Sequence, residues 1–534
     1  MSLELLIIVC VAAIVATALT NRFRLIGPVM LIVAGLVASF APGAEGAGLP
    51  SEVVLTVFLP VLLYWEALSV SLNGMRRALR GIILSATVLV VITSAIIMAA
   101  GLAMGLSAGA ALLVGACLGP TDATAVAALG KGINRFGRTV LQAESLLNDG
   151  TALAVFAIAL RVAAGGTGVS AASVTSEFVI SIGAGLGVGV VCGAAAVLLW
   201  AKWNASRSDA MLSNLIALAV PFTTYFLAEE LQGSGVLAVV ACGIVYSRYN
   251  GNANDSAIRL VGIPFWSVLT YLMNTVLFIM VGLSLPEIVR RLPHQELVRG
   301  LVLIPIIYSA MVAARFVGQY AIIFSIRALD RRPQQRERRT NIRGRLVSTV
   351  AGFRGAISLA MALSIPVSFG GTAYEERDLV VFITAGVTLL SLVVQGIVLP
   401  HVVRWANARP TAVQRREAEE LDEETRVLAG IMRDIVEELP SMAERIGVED
   451  EDLVNAIRES YERREQRMLQ AASEEEFSFF DEDETALRLE CIDFARARVL
   501  EARNAGRLDG ATAFLAITRL DTEGALLAGP IEME

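Results

Sequence analysis

The chain has 534 residues, of which 55% are hydrophobic and only 18% charged, with a mean hydropathy of +0.63. A water-soluble protein of this size needs far more charge to cover its surface, so a soluble enzyme is excluded for most of the chain. The formal net charge of −7 is unevenly placed: Pro410 to Glu534 holds 32 acidic and 15 basic residues, a net of −17, which leaves about +10 on the first 409.

The first apolar stretch, 3–20, lacks a basic leading region, carries Glu4 and runs on into further apolar segments. It reads as a membrane helix rather than a signal peptide. A bilayer core of about 30 Å takes roughly 20 apolar residues in a helix. By that rule further spans follow at 26–42, 51–72, 80–104, 107–129, 138–161, 175–201, 210–230, 233–248, 263–285, 297–326, 346–369 and 378–402, about thirteen in all. Basic loops recur at alternate positions: Arg22/Arg24, Arg76/Arg77/Arg80, Lys131/Arg135/Arg138, Lys202/Arg207, Arg248/Arg259 and the cluster at 327–345. The intervening loops are short or acidic, apart from the one with Arg290, Arg291 and Arg299. The alternation predicts an external N-terminus and a cytoplasmic tail.

The tail, 410–534, reads as a separate acidic helical domain, with Val427, Ile431 and Ile435 at helical spacing and breaks at Pro440, Gly447 and Gly506. Phe477, Phe479 and Phe480 stand in its most acidic stretch as anchoring aromatics. The five cysteines (Cys10, Cys117, Cys192, Cys242, Cys491) are scattered without a CxxC pair, and there are two histidines. Neither a disulfide framework nor a His-based metal or catalytic site is expected, and no cofactor.

Ionisable groups inside membrane spans are costly and point to function. Asp122 lies in Gly119-Pro120-Thr121-Asp122. A Gly-Pro step lets a membrane helix unwind, which is tolerated where the backbone lines a cavity or packs on protein. The bland alternative is a kink in which Asp122 caps the second half of its own helix. In Glu144-Ser145-Leu146-Leu147-Asn148-Asp149-Gly150, the side chains of Glu144, Ser145, Asn148 and Asp149 fall within about 140° of one helix face. Oxygen ligands on one stripe suit a hard cation. A carboxylate there binds either the cation or a proton, and that competition is enough for exchange. The alternative is a polar seam joining helices.

Arg354, in Gly352-Phe353-Arg354-Gly355-Ala356, needs a carboxylate partner, and Glu144 is the one not required by the ion. Arg315 either lies deep or snorkels to the interface. Glu66 is read as a gate carboxylate or as the polar end of the third span. The Gly-Pro break falls in the fourth helix of spans two to six, and the Gly-rich break in the fourth helix of spans nine to thirteen. Paired interruptions of this kind predict inverted repeats with the site at mid-membrane.

At these residues the sequence resembles the monovalent cation/proton antiporters of the NhaP and Na⁺/H⁺-exchanger type, over roughly the first 405 residues. Gly-Pro-Thr-Asp at 119–122, Glu-Ser-Leu-Leu-Asn-Asp-Gly at 144–150 and Gly-Phe-Arg-Gly-Ala at 352–356 carry the resemblance, with Phe58-Leu59-Pro60 through Glu66 as a fourth match. The resemblance implies an all-α membrane protein of thirteen spans, two crossed unwound helices, a homodimer in the plasma membrane and elevator-like alternating access. It implies that Asp149 binds the cation and the transported proton, that Thr121, Asp122 and Ser145 line the site beside Asn148, and that Glu144 pairs with Arg354. Arg315 fits a second family arginine. Asn-Asp at 148–149 implies one-for-one, electroneutral exchange of Na⁺, Li⁺ or K⁺ for H⁺, serving pH and sodium homeostasis. A cation channel would need a filter loop that is not evident. An enzyme or a sensor acting through its tail would need a phosphate loop, nucleotide fingerprint or catalytic triad, and none is evident; no nucleic-acid partner is expected.

Overall fold

The computed structural model describes residues 3–23, 25–42, 53–70, 75, 81–122, 126, 132–133, 135–165, 171–204, 210–250, 256–329, 342–369, 371–408, 412–471, 482–505 and scattered positions from 507 to 524. The chain forms two compact units, Met1–Arg409 and Pro410–Glu534.

The first unit is a bundle of helices. They are α1 (Leu3–Phe23), α2 (Gly27–Ala38), α3 (Val54–Ser69), α4 (Gly81–Ala103), α5 (Ala108–Cys117) and α6 (Arg135–Ala163). There follow α7 (Ala171–Asn204), α8 (Ala210–Glu230), α9 (Gly235–Asn250), α10 (Ser256–Arg291) and α11 (His294–Leu329). The short α12 (Ile342–Val350) and α13 (Ala356–Leu363) precede α14 (Arg377–Asn407). Among the described residues eight helices are long and apolar enough to cross a membrane, and four shorter apolar ones lie between them.

Lipid tails are as apolar as leucine, so membrane helices associate through close packing of small residues. Here Gly185, Gly189 and Gly193 set three successive turns of α7 against the backbone oxygens of Ser234, Ala238 and Cys242, leaving no room for a Cβ. Gly35 and Gly282 do the same where α2 crosses α10. A wide π-turn at Val54–Phe58 precedes Pro60 in α3, where the missing N–H interrupts regular α-helical bonding.

Two helical runs are interrupted. α5 begins at an N-cap, with Ala110 N donating to Ser107 Oγ at 3.1 Å, and stops at Cys117 just before Gly119-Pro120. α12 stops at Val350, and the chain runs unwound through 351–355 before α13. The span predicted at 346–369 is therefore two half-helices. Its end is not helical either: past Pro366 the chain forms a two-stranded hairpin, β1 (Ser368–Phe369) and β2 (Thr372–Ala373), turning at Gly371 with φ +86°. The turn needs a positive φ, which glycine adopts without a Cβ penalty. Arg343 and Arg345, from the basic cluster before α12, stack on Trp405 and Tyr320 at 4.9 and 4.5 Å.

The second unit contains α15 (Ala412–Ile446), α16 (Glu451–Ala471) and α17 (Glu482–Asn504). α15 packs on α16, and Arg433 is ion-paired with Glu465 between them. Pro440 lies inside α15 rather than ending it. The break comes at Gly447, with φ +72° and Val448 N bonded back to Ala443 O, a Schellman stop. Gly506 and the Phe477, Phe479, Phe480 cluster lie outside the described residues.

Candidate functional site

The two unwound stretches bond to each other. Asp122 N donates to Phe353 O at 2.9 Å. Each stretch then supplies one charged side chain to the other. Asp122 Oδ2 accepts from Ala356 N at 3.3 Å, at the opening of α13. Arg354 Nε donates to Leu118 O at 2.6 Å, at the end of α5, while its Nη1 donates to Gly352 O at 2.6 Å. A helix N-terminus carries partial positive charge and a C-terminus partial negative charge, so both placements are electrostatically favourable. The Asp122 contact offered here differs from a cap on its own helix: it reaches the other broken helix. Gly355 packs so tightly against the Asp122 carboxylate that a Cβ would collide with it.

α6 presents the third wall. Glu144, Ser145, Asn148 and Asp149 are all buried on it. Ser145 Oγ donates to Thr121 O at 2.7 Å. Asn148 Nδ2 donates to Thr121 Oγ1 at 2.7 Å, and its Oδ1 accepts from Thr121 N at 3.3 Å. Breaking α5 left the backbone groups of Thr121 without helical partners, and two residues of one α6 turn satisfy them. Asn148 is therefore committed to holding Thr121 in place. Asp149 differs from its neighbours. It is 0% exposed, and neither carboxylate oxygen has a hydrogen-bond partner among the described residues. A buried carboxylate left so costs several kcal/mol unless it takes up a proton or a cation.

Glu66 faces the same region from α3. It is half-buried, and its Oε2 has no hydrogen-bond partner among the described residues. Stacked Trp65 and Trp266, 6.0 Å apart, with Tyr64 against the same Trp266 at 5.5 Å, pin this turn of α3 to α10. Among the described residues no three His, Cys, Asp or Glu side chains come together as a metal site. A cation here would take one or two carboxylates and complete its shell with neutral oxygens.

The expected Glu144–Arg354 pair is corrected. Glu144 Oε1 lies 2.9 Å from Arg315 Nη2, with both side chains buried. Arg354 is held by carbonyls and by Ser391, whose Oγ accepts from its backbone N at 3.2 Å. Its guanidinium remains in the field of both Arg315 and Glu144. Gly352 explains the choice of partner: the unwound backbone there packs directly on the Arg315 side chain, bringing α11 to the break. Arg315 Nε also donates to Ser348 O at 3.1 Å, and the side chain is buried inside the protein. Sequence reading missed the next turn of α11. Gln319 Nε2 donates to Ser348 Oγ at 2.8 Å, and its Oε1 accepts from Thr349 Oγ1 at 3.2 Å. The signal was present, since Gln319 stands four residues after Arg315 in the mainly apolar middle of the helix.

A family model for the transmembrane sodium/hydrogen exchanger matches residues 8–405. The chain belongs to the sodium/hydrogen exchanger family. This exchanger is 32% identical over 538 residues to an uncharacterized Na⁺/H⁺ exchanger of Mycobacterium tuberculosis, covering 100% of its own chain and 97% of the relative. It is 28% identical over 432 residues to the Na⁺/H⁺ antiporter ApNhaP of Aphanothece halophytica, covering 78% and 77% of the two chains. A sodium, potassium, lithium and rubidium/H⁺ antiporter of Bacillus subtilis is 28% identical over 424 residues, covering 75% and 61%. The solved sodium proton antiporter MjNhaP1 of Methanocaldococcus jannaschii shares the fold, with a TM-score of 0.58 at 16% identity over 75% of this chain and 99% of that one. The protein is a membrane-embedded Na⁺/H⁺ antiporter of a transporter family.

Proposed function

We propose that this exchanger moves one Na⁺ against one H⁺ per cycle through Asp149, without net charge movement. One observation carries the reading: Asp149 is fully buried, and both its oxygens stand without a hydrogen-bond partner among the described residues. A single carboxylate that must be occupied, by a proton or by a monovalent cation, makes the two mutually exclusive. Thr121 O, Ser145 Oγ and Asp122 are the neighbouring oxygens offered to the cation, and Asn148 positions Thr121. Glu144, Arg315 and Arg354 form the charge cluster behind the site, and Glu66 is a gate carboxylate.

Exchange requires the site to face each side in turn. The crossed breaks in α5 and α12–α13 are the expected moving element. Eight long helices, four short ones and the broken pair α12–α13 support the thirteen-span, inverted-repeat reading. The N-terminus outside, the tail in the cytoplasm of a plasma-membrane homodimer, and a role in pH and sodium homeostasis rest on loop charge and family resemblance. The Bacillus relative's named cation set supports testing K⁺ and Li⁺ beside Na⁺.

The test uses everted vesicles carrying a pH dye. Adding Na⁺ to acidified vesicles dissipates the pH gradient, and a voltage imposed at fixed ion gradients leaves the rate unchanged. A voltage-dependent rate sinks the one-for-one stoichiometry, and no Na⁺ response sinks the antiport reading.

A further inference from the structure

The contact at Asp122 and Arg354 has a counterpart at the outer ends of the same two broken helices. Glu376 and Arg377 are consecutive residues at the start of α14. Glu376 occupies the N-cap of α14 yet makes no side-chain bond to its own helix. Its carboxylate reaches α5 instead, with Ser107 N donating to Oε1 at 3.2 Å and Ser107 Oγ bonded to Oε2. Ser107 is the N-cap of α5.

Arg377 is equally misplaced for its own helix, because a cation in a first helical turn opposes the dipole. Its guanidinium turns to the C-terminal end of α13, where Nε donates to Ile365 O at 2.8 Å and Nη2 to Leu363 O at 3.4 Å. A salt bridge to Asp378 at 3.2 Å steadies it. The anion therefore sits on the N-terminus of α5, and the cation on the C-terminus of α13. Arg299 secures the same corner, with Nε donating to Met104 O at 3.0 Å just before α5.

We propose that Glu376 and Arg377 form a charge clasp that holds the outer ends of α5 and α13 together throughout transport, and so are positioning residues for the ion site. This rests on the proposed role of the crossed breaks as the moving element. α5 and α13 are short, at ten and eight residues, and each is free of helical continuity at its inner end. Fixing both outer ends leaves Thr121-Asp122 and Phe353-Arg354 a single relative register around Asp149.

The experiment measures Na⁺-dependent exchange in proteoliposomes, with the melting temperature of each purified variant followed in parallel. Glu376→Gln removes the charge that takes both Ser107 bonds, and Arg377→Gln removes both carbonyl bonds and the Asp378 ion pair; each raises the apparent KM for Na⁺ about tenfold with a much smaller change in kcat. Glu376→Asp and Arg377→Lys keep the charges, and their KM values fall between those and the parent. A Ser107→Cys/Glu376→Cys pair is then made in a chain whose exposed Cys10 and Cys491 are serine. A short bis-thiol cross-linker across that pair restores KM toward the parent value. A cross-link that stops exchange shows that the contact opens during the cycle and overturns the proposal. So does an unchanged KM in the two glutamine variants. Neither result touches the assignment of Asp149, whose own variant is scored separately by loss of exchange.

Discussion

Asp122 and Arg354 each satisfy the broken end of the helix that the other interrupts: Asp122 takes the first N–H of α13, and Arg354 takes the last carbonyl of α5. The reciprocity makes each break depend on the other. Unwound backbone in a membrane must find partners inside the protein, and here one acid and one base supply them while leaving Asp149 unengaged.

Arg354→Gln removes the donors to Leu118 O and Gly352 O and leaves buried carbonyls unpaired. The expected loss is about 3 kcal/mol or more of stability, read as a lowered melting temperature in detergent. Arg354→Lys recovers little, because one ammonium cannot reproduce the two-sided guanidinium contact.

The Glu144–Arg315 ion pair predicts where coupling is found. A double-mutant cycle between Glu144→Gln and Arg315→Gln gives a coupling of about 1–3 kcal/mol, larger than that of the Glu144/Arg354 cycle. A larger coupling to Arg354 would reassign the pair.

Gly355→Ala drives a methyl group into the Asp122 carboxylate and displaces it from Ala356 N. The apparent KM for Na⁺ rises by about tenfold, whereas Gly430→Ala, which meets nothing in α15, leaves transport unchanged. Ion-dependence curves for the two variants check the contrast.

Asn148→Asp is compatible with the geometry. Thr121 N still has an acceptor, and the Thr121 hydroxyl can rotate to donate where it now accepts. The variant therefore folds, but it brings a further carboxylate to the site, next to Asp149. Its exchange rate becomes sensitive to imposed membrane potential, measured at fixed ion gradients in vesicles.

The helices were largely legible because apolar length and a buried polar face are local properties of sequence. The breaks were legible too, since Gly119-Pro120 and Gly352-Phe353-Arg354-Gly355 contain their own cause. Partner choice was not. Glu144 meets Arg315 because Gly352 lets α11 approach, a contact between segments 37 residues apart in sequence. Pro440 was expected to stop a helix and does not, while Gly447 does, because only the latter takes up the left-handed stop. The hairpin after α13 was read as membrane helix because Val367 and Phe369 are apolar, although Pro366 and Gly371 favour a turn. Glu376 was legible only as one acid of a loop, and Arg377 stood out in no pattern, because the helix ends that they meet are distant in sequence.

The most direct measurement of the central claim is Na⁺-driven dissipation of a pH gradient by purified Asp149→Asn in proteoliposomes. Asp149→Asn shows no exchange yet melts at or above the parent temperature, because a neutral amide relieves an unpaired buried carboxylate and cannot alternate between proton and cation. Sustained exchange by that folded variant would contradict the claim.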